Sequence, residues 1–273
     1  MKKIVRLIKW CLVLVLAGSL LVIGRQTYDG WRNKQASAEA AQIAGLPGEG
    51  QAAPSRLPQP EGSTPPDAPQ PEPLPEEEEA SALAGIDFDA LWAVNQDVLG
   101  WIAIPGTELS YPLMQGANNQ YYLSHNWKGE ANTGGAVFLE STCNGDLSDF
   151  HTIVYAHRMR NDSMFGTLKY YDAQDFWREH PSVYIAAGDG TIYRYDIFAA
   201  HEVNTKGIVY RLDIEQSHLQ GELIRACLEG SAIDTGIVPT DEGRLLTLST
   251  CTAAGHADRW VVHAVLQAEY PAR

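Results

Sequence analysis

Short alternating segments dominate the globular part of this 273-residue chain and predict a mainly β fold, a barrel or sandwich with helices laid into the connections. Three observations carry that prediction. Apolar and β-branched runs recur at Trp101–Ile104, Leu109–Met114, Ala136–Leu139, Thr152–His157 and beyond. Turn signals separate them: Pro105-Gly106, Gly134-Gly135 and Asn144-Gly145. The helical stretches do not alternate with strands as βαβ units would, and no internal repeat is visible.

At the N-terminus, Lys2, Lys3, Arg6 and Lys9 precede the apolar run Trp10 to Ile23. That run is shorter than the roughly 20 residues a membrane span wants, but Ile4, Val5, Leu7 and Ile8 extend it if Lys9 snorkels. No small-x-small cleavage site follows directly, which favours an uncleaved anchor over a cleaved signal. The basic flank puts the N-terminus inside, against the weaker opposing bias of Arg25, Arg32 and Lys34, and the bulk of the chain outside.

Residues 36 to 80 hold ten of the fifteen prolines, end in Glu76 to Glu79 and contain hardly a large apolar residue. Such a segment buries too little surface to offset the entropy of ordering, so it reads as a disordered, extended tether. The predicted organisation is therefore a basic flank, anchor and juxtamembrane segment over 1–35, a tether over 36–80, and a globular domain over 81–273.

In that domain, Phe88 to Val98 reads as a helix with Phe88, Leu91, Trp92, Val94 and Val98 apolar. Asp172 is placed to cap a short helix over Ala173 to His180, stopped by Pro181. Ser182–Ala187, a Gly188-Asp189-Gly190 turn and Thr191–Val203 form a hairpin. Ser217 with Gln220 resembles a capping box opening a helix that ends near Gly230. Leu245 to Thr250 is a strand with Cys251 at its end; seven loop residues follow, and then a last strand runs from Arg259 to Leu266.

Charge narrows the partners. Residues 1–35 carry seven basic and one acidic side chain (+6), 36–80 one and nine (−8), and 81–273 twelve and twenty-four (−12), which together give −14. So acidic a body disfavours nucleic acid, whose binding rests on basic contacts.

The last strand pair carries chemistry. If the two strands pair antiparallel, the Cys251 thiol and the Arg259 guanidinium share one surface. A thiolate attacks a carbonyl, and an arginine stabilises the oxyanion that develops. The other cysteines fit less well: Cys11 lies in the apolar run and Cys227 on a helical stripe with Leu219 and Leu223. No CxxC spacing offers a zinc ribbon or a redox motif, and a Cys143–Cys251 disulfide stays open. For the base, His157 ends a strand, His263 sits mid-strand on the face of Arg259, and His256 lies in the loop.

TLSTC at Thr247–Cys251, Arg259 at the start of the next strand, and YAHRM at Tyr155–Met159 resemble the signature of sortases, the cysteine transpeptidases of Gram-positive cell walls. GWIAIPGTELSYPLMQG at 100–116, NNQYYLSHNWKG at 118–129, SMFGTLKYY at 163–171 and the inserted helix at about 217–229 are similar to the class B branch. The resemblance covers about 87–268. It implies an eight-stranded sortase-type β-barrel with an N-terminal helix and a helical insertion between the sixth and seventh strands.

By the same resemblance Cys251 is the nucleophile, His157 the general acid/base and Arg259 the oxyanion and substrate stabiliser. Asn119, Leu123, Tyr155 and Ser249 match positions lining the substrate groove. The implied partners are a sorting-signal peptide of secreted proteins and an amine of the peptidoglycan precursor, with no metal or organic cofactor required. One departure concerns peptide preference: TAAG follows the cysteine, without the acidic residue that some class B members place there. Two rivals are a non-enzymatic, membrane-tethered adhesion or assembly module, and a zinc site built from Cys251, His256 and His263.

Overall fold

A computed structural model describes residues 2–46, 76–214, 216–251 and 257–272. Most of the proposed tether, residues 47–75, and the loop 252–256 with His256 lie outside the described residues. Of Cys251 only the backbone position is described.

Eight strands form where the alternation predicts them: β1 (Val98–Ala103), β2 (Ser110–Met114), β3 (Val137–Leu139), β4 (His151–His157), β5 (Ser182–Ala187), β6 (Ile192–Asn204), β7 (Leu245–Cys251) and β8 (Asp258–Tyr270). They close a barrel in the order β1-β2-β3-β4-β7-β8-β6-β5. Closure removes exposed sheet edges, and each strand sends alternate residues inward. The interior is filled by Ile102, Leu113, Val154, Ala156, Leu246, Leu248, Val262 and Ala264, all fully buried. The neighbours of these residues point outward, so the outer face of β4, β7 and β8 carries Tyr155, His157, Thr247, Ser249, Val261 and His263.

Two strands in the middle of this barrel, β4 and β7, run parallel. A parallel pair needs a long crossover, and residues 158–244 supply it, carrying β5, β6 and a helix α5 (Ser217–Leu228) between the sixth and seventh strands. Leu223, Ile224 and Cys227 of that helix pack with Phe198, Leu245 and Val265 in a second core outside the barrel. The numbered strands and the insertion match the architecture implied by the resemblance.

The helices differ in detail from the sequence reading. Helix α1 (Lys2–Ile43) does not stop near residue 35 but continues through 36–43. Ala36, Ala40 and Ala44 recur every four residues, and small side chains on one face let the helix backbone approach the barrel, where all three are buried. Trp127 donates its indole N–H to the Ala36 carbonyl at 2.7 Å, and Arg32–Glu130 and Lys34–Glu108 pair at 3.1 and 3.4 Å around it. Residues 36–43 therefore belong with the barrel, and low apolar content alone misreads an alanine stripe. A second short helix, α2 (Glu76–Leu83), takes up the glutamate run.

Helix α3 spans Phe88–Val94 rather than reaching Val98, with Asp87 accepting from the Ala90 N–H at 2.9 Å as its cap. Val98 instead opens β1, because Trp92 donates to its carbonyl and the chain has already turned at Asn95–Asp97. Helix α4 (Gln174–Glu179) starts after Ala173, without a side-chain cap; Asp172 ends the preceding 3₁₀ segment Gly166–Asp172. The N-cap of α5 is Gln216, so Ser217 is its first helical residue and makes no capping box. Cys143 carries a free, buried thiol, which removes the Cys143–Cys251 disulfide.

Candidate active site

The site grows out of strand register. Along the parallel pair β4 and β7, Tyr155 lies beside Ser249 and His157 beside Cys251. The antiparallel register of β7 and β8 runs to Ser249↔Val261. Beyond it the Thr250 hydroxyl accepts from the Trp260 N–H at 3.2 Å and contacts its carbonyl at 3.1 Å, and Arg259 pairs with Val203 of β6. His157 and Cys251 are thus side by side in register at the ends of β4 and β7, and Arg259 stands at the start of β8, the strand next to β7.

The surroundings fix the His157 ring. Its Nε2 lies 2.8 Å from the Leu123 carbonyl, which can only accept, so Nε2 donates there and Nδ1 is the nitrogen left to face the site. Gly135 adopts φ +61 against this ring; a Cβ there would stand 3.1 Å from His157 Cδ2 and 2.5 Å from the Tyr122 carbonyl oxygen. Only glycine fits both the backbone conformation and the space. On the backbone side, Phe165 donates its N–H to the His157 carbonyl at 3.0 Å. Met164, at φ 55, is held by the Tyr111 hydroxyl accepting from its N–H. The SMFG stretch therefore folds back to brace the strand end that carries His157.

Beside the row lies a polar wall. Glu140 follows β3, is only 8% exposed, and accepts from the Asn119 amide at 2.5 Å and the Tyr155 hydroxyl at 3.1 Å. Across the face the Tyr210 and Ser249 hydroxyls are 2.7 Å apart. Ser249 is buried beneath Tyr210 rather than open on the surface. Leu123, whose position matches the substrate groove, contributes its carbonyl to His157. Arg259, partly exposed, donates from Nη1 to the Asp258 carbonyl at 3.1 Å.

Residues 102–267, more than half of the chain, match the sortase domain family. The chain belongs to the sortase family. Members of that family are cysteine transpeptidases of the cell envelope. It is 32% identical over 161 residues to Sortase B of Listeria monocytogenes, a match covering 59% of this chain and 65% of that protein, just under two thirds. Sortase B of Staphylococcus aureus is 30% identical over 167 residues, covering 61% of this chain and 68% of that one. The solved S. aureus sortase B–substrate complex superposes with a TM-score of 0.63 at 29% identity, covering 66% of this chain and 84% of that one. These likenesses place it in the class B branch.

A second histidine group sits elsewhere on the same strands of this sortase. His151 Nε2 lies 2.8 Å from the Thr247 hydroxyl, which lies 2.9 Å from His263 Nδ1, and His263 Nε2 is 3.2 Å from His201 Nε2. All four side chains are buried. Burial pushes the His151 imidazole down to about 4 and lowers His201 and, further, His263. Both ring nitrogens of His263 are engaged within the protein, so it is withdrawn from the zinc set considered above; His256 lies outside the described residues.

Glu140 and Tyr210 are the polar residues near the site that sequence reasoning missed. Tyr210 follows a Gly207 turn in the crossover, a region with no strand or helix period to flag it. Glu140 looks like a surface acid in FLEST, and only the pairing of β3 with β4 reveals its burial.

Proposed function

We propose that this chain is a membrane-anchored cysteine transpeptidase that cleaves a C-terminal sorting signal of secreted proteins and passes the acyl group to a cell-wall amine. The observation that carries the reading is the register pair His157–Cys251 at the end of β4 and β7. The Cys251 thiolate attacks the carbonyl of a threonine in the signal. Negative charge develops on the carbonyl oxygen, and Arg259 stabilises it with a forked, permanently charged donor set. His157, with Nε2–H committed to Leu123, exchanges the proton through Nδ1 and delivers it to the leaving amine. An amine of the peptidoglycan precursor then attacks the thioester and regenerates the thiol.

Asn119, Tyr155 and Ser249 serve the groove, Ser249 through Tyr210, and Leu123 holds the histidine. The substrate complex of the S. aureus relative supports a substrate site in this fold. The anchor reading is supported by α1, whose exposed Trp10, Leu12, Leu14, Val15, Leu16, Val22 and Ile23 form part of a stretch of mean hydropathy 1.6, long and apolar enough to cross a membrane. Protease added to intact cells should then remove the barrel; a protected barrel contradicts an outside location.

The test of the reaction is incubation of the full chain, in detergent, with a library of sorting-signal peptides and an amine acceptor. The expected result is cleavage after threonine with a peptide–amine product. Absence of any cleavage, together with a Cys251 inert to thiol reagents, favours the non-enzymatic module.

A further inference from the structure

We infer that Glu140 is a positioning residue that sets the hydrogen-bond polarity of the substrate groove, making Tyr155 an acceptor and Asn119 a donor toward a bound peptide backbone. The inference deepens the transpeptidase reading and rests on it.

The argument is one of donor and acceptor supply. Asn119 Oδ1 accepts from the Ser141 backbone N–H at 2.8 Å, and a backbone N–H can only donate, so the orientation of the Asn119 amide is fixed. Its Nδ2 therefore faces Glu140 Oε1, at 2.5 Å. The carboxylate also accepts a hydrogen bond from the Tyr155 hydroxyl on Oε2 at 3.1 Å. Its remaining contacts are the Ser141 hydroxyl at 3.3 Å and the Thr142 N–H and hydroxyl at 3.4 Å each. Among the described residues every one of these is a neutral donor. A buried carboxylate with no cation is costly unless such donors satisfy it, so this carboxylate is held by the groove residues and in turn orients them.

The consequence reaches the substrate. With its proton committed to Glu140, the Tyr155 oxygen can only accept from a further partner, while Asn119 keeps a second N–H to donate. An acceptor and a donor bound to the two oxygens of one carboxylate match the N–H and C=O of an extended peptide backbone, independent of its side chains. Tyr155 lies two residues before His157 and beside Ser249 in register, so this polarity is set within reach of the reacting row.

The experiment measures kcat and KM of the full chain with a cleavable signal peptide and an amine acceptor, for wild type, Glu140→Gln, Glu140→Asp, Tyr155→Phe and Glu140→Gln/Tyr155→Phe. Glutamine keeps the size but turns one acceptor into a donor that faces Tyr155 or Asn119. The expected result is a KM raised at least about tenfold, as for loss of a charge-assisted hydrogen bond, with kcat changed less than about threefold because the reacting row is untouched. Glu140→Asp should recover part of the KM. The double variant should be no worse than the poorer single one, since residues acting through one network are not additive. Should Glu140→Gln not fold, Tyr155→Phe and Glu140→Asp carry the same test: both must raise KM with kcat retained. An unchanged KM in folded variants, or fully additive effects, overturns the role of Glu140. No turnover by the wild type sinks the transpeptidase reading itself, so the two failures are told apart.

Discussion

Two rows of polar side chains cross the outer face of β4, β7 and β8, four to six residues apart along the same strands. One is built on the register pair His157–Cys251, with Arg259 at the start of β8; the other joins His151, Thr247 and His263 by hydrogen bonds and reaches His201 on β6. The second row lies against the insertion, with His263 stacked on Phe198 and both of its nitrogens bonded inside the protein. Burial keeps those histidines neutral. The first row sits where the strands end, His157 partly exposed and tied by one nitrogen to a carbonyl. Histidines on the same strands, His151 and His157 of β4 above all, thus separate into structure and chemistry by what covers them.

If that division is right, substitutions in the two rows move different observables. His157→Ala should cut turnover by about 100 to 10,000-fold, the usual worth of general acid–base catalysis, with thermal stability near wild type. His263→Ala should leave kcat within a few-fold and instead lower stability by about 1–3 kcal/mol, because Thr247 and His201 lose a buried partner. A swap of these outcomes, measured by peptide turnover and thermal melts, would reverse the assignment of the rows.

Arg259→Lys sharpens the comparison within the first row. Lysine keeps the charge but not the fork, and losing an oxyanion donor typically costs about 100 to 1,000-fold. A fall in kcat of at least about tenfold is expected, discounted because lysine substitutes in part. Were the guanidinium only part of an exposed ion pair, the change would be nearly silent.

The buried row makes a pH prediction. In the folded chain burial holds His151 at about 4, whereas unfolding returns it to near 6.5. Between those values the unfolded state binds more protons. The stability contribution is therefore complete above pH 6.5 and is lost as pH falls toward 4, by about 3 kcal/mol for His151. Thermal midpoints across pH 7 to 4 should fall in wild type and fall less in His151→Gln, which keeps a partner for Thr247. Parallel profiles would show that the row does not titrate with unfolding.

The smallest effect is expected from Cys143→Ala. Cys143 is buried and desolvation pushes its thiol up to about 11, so it is a poor thiolate at neutral pH. Turnover should stay within about twofold of wild type, measured with the same peptide.

Much of this was legible in the chain because its signals were local. Ser182–Ala187 follows from alternation and flanking turns, and Cys251 and Arg259 from the two strand ends they mark. What escaped depends on partners distant in sequence. The α1 continuation over 36–43 rests on an alanine stripe meeting Trp127, and Glu140 gains meaning only when residues 119, 140 and 155 meet. Leu123 acts on His157 through its carbonyl, which every residue possesses and no pattern singles out. Asp172 and Ser217 have the right type for caps, but Ala173 and Gln216 occupy the cap positions because the preceding segments set where each helix begins.

The central claim is that the row at the strand ends, with Cys251 as its nucleophile, performs the acyl transfer. The most direct measurement is the intact mass of the full chain mixed with a cleavable sorting-signal peptide and no acceptor amine, followed by mapping of the adduct. The account predicts an added acyl mass on the peptide containing Cys251, released by amine and absent in Cys251→Ala. An adduct on Cys143 or Cys227, or turnover that persists in Cys251→Ala, would contradict it.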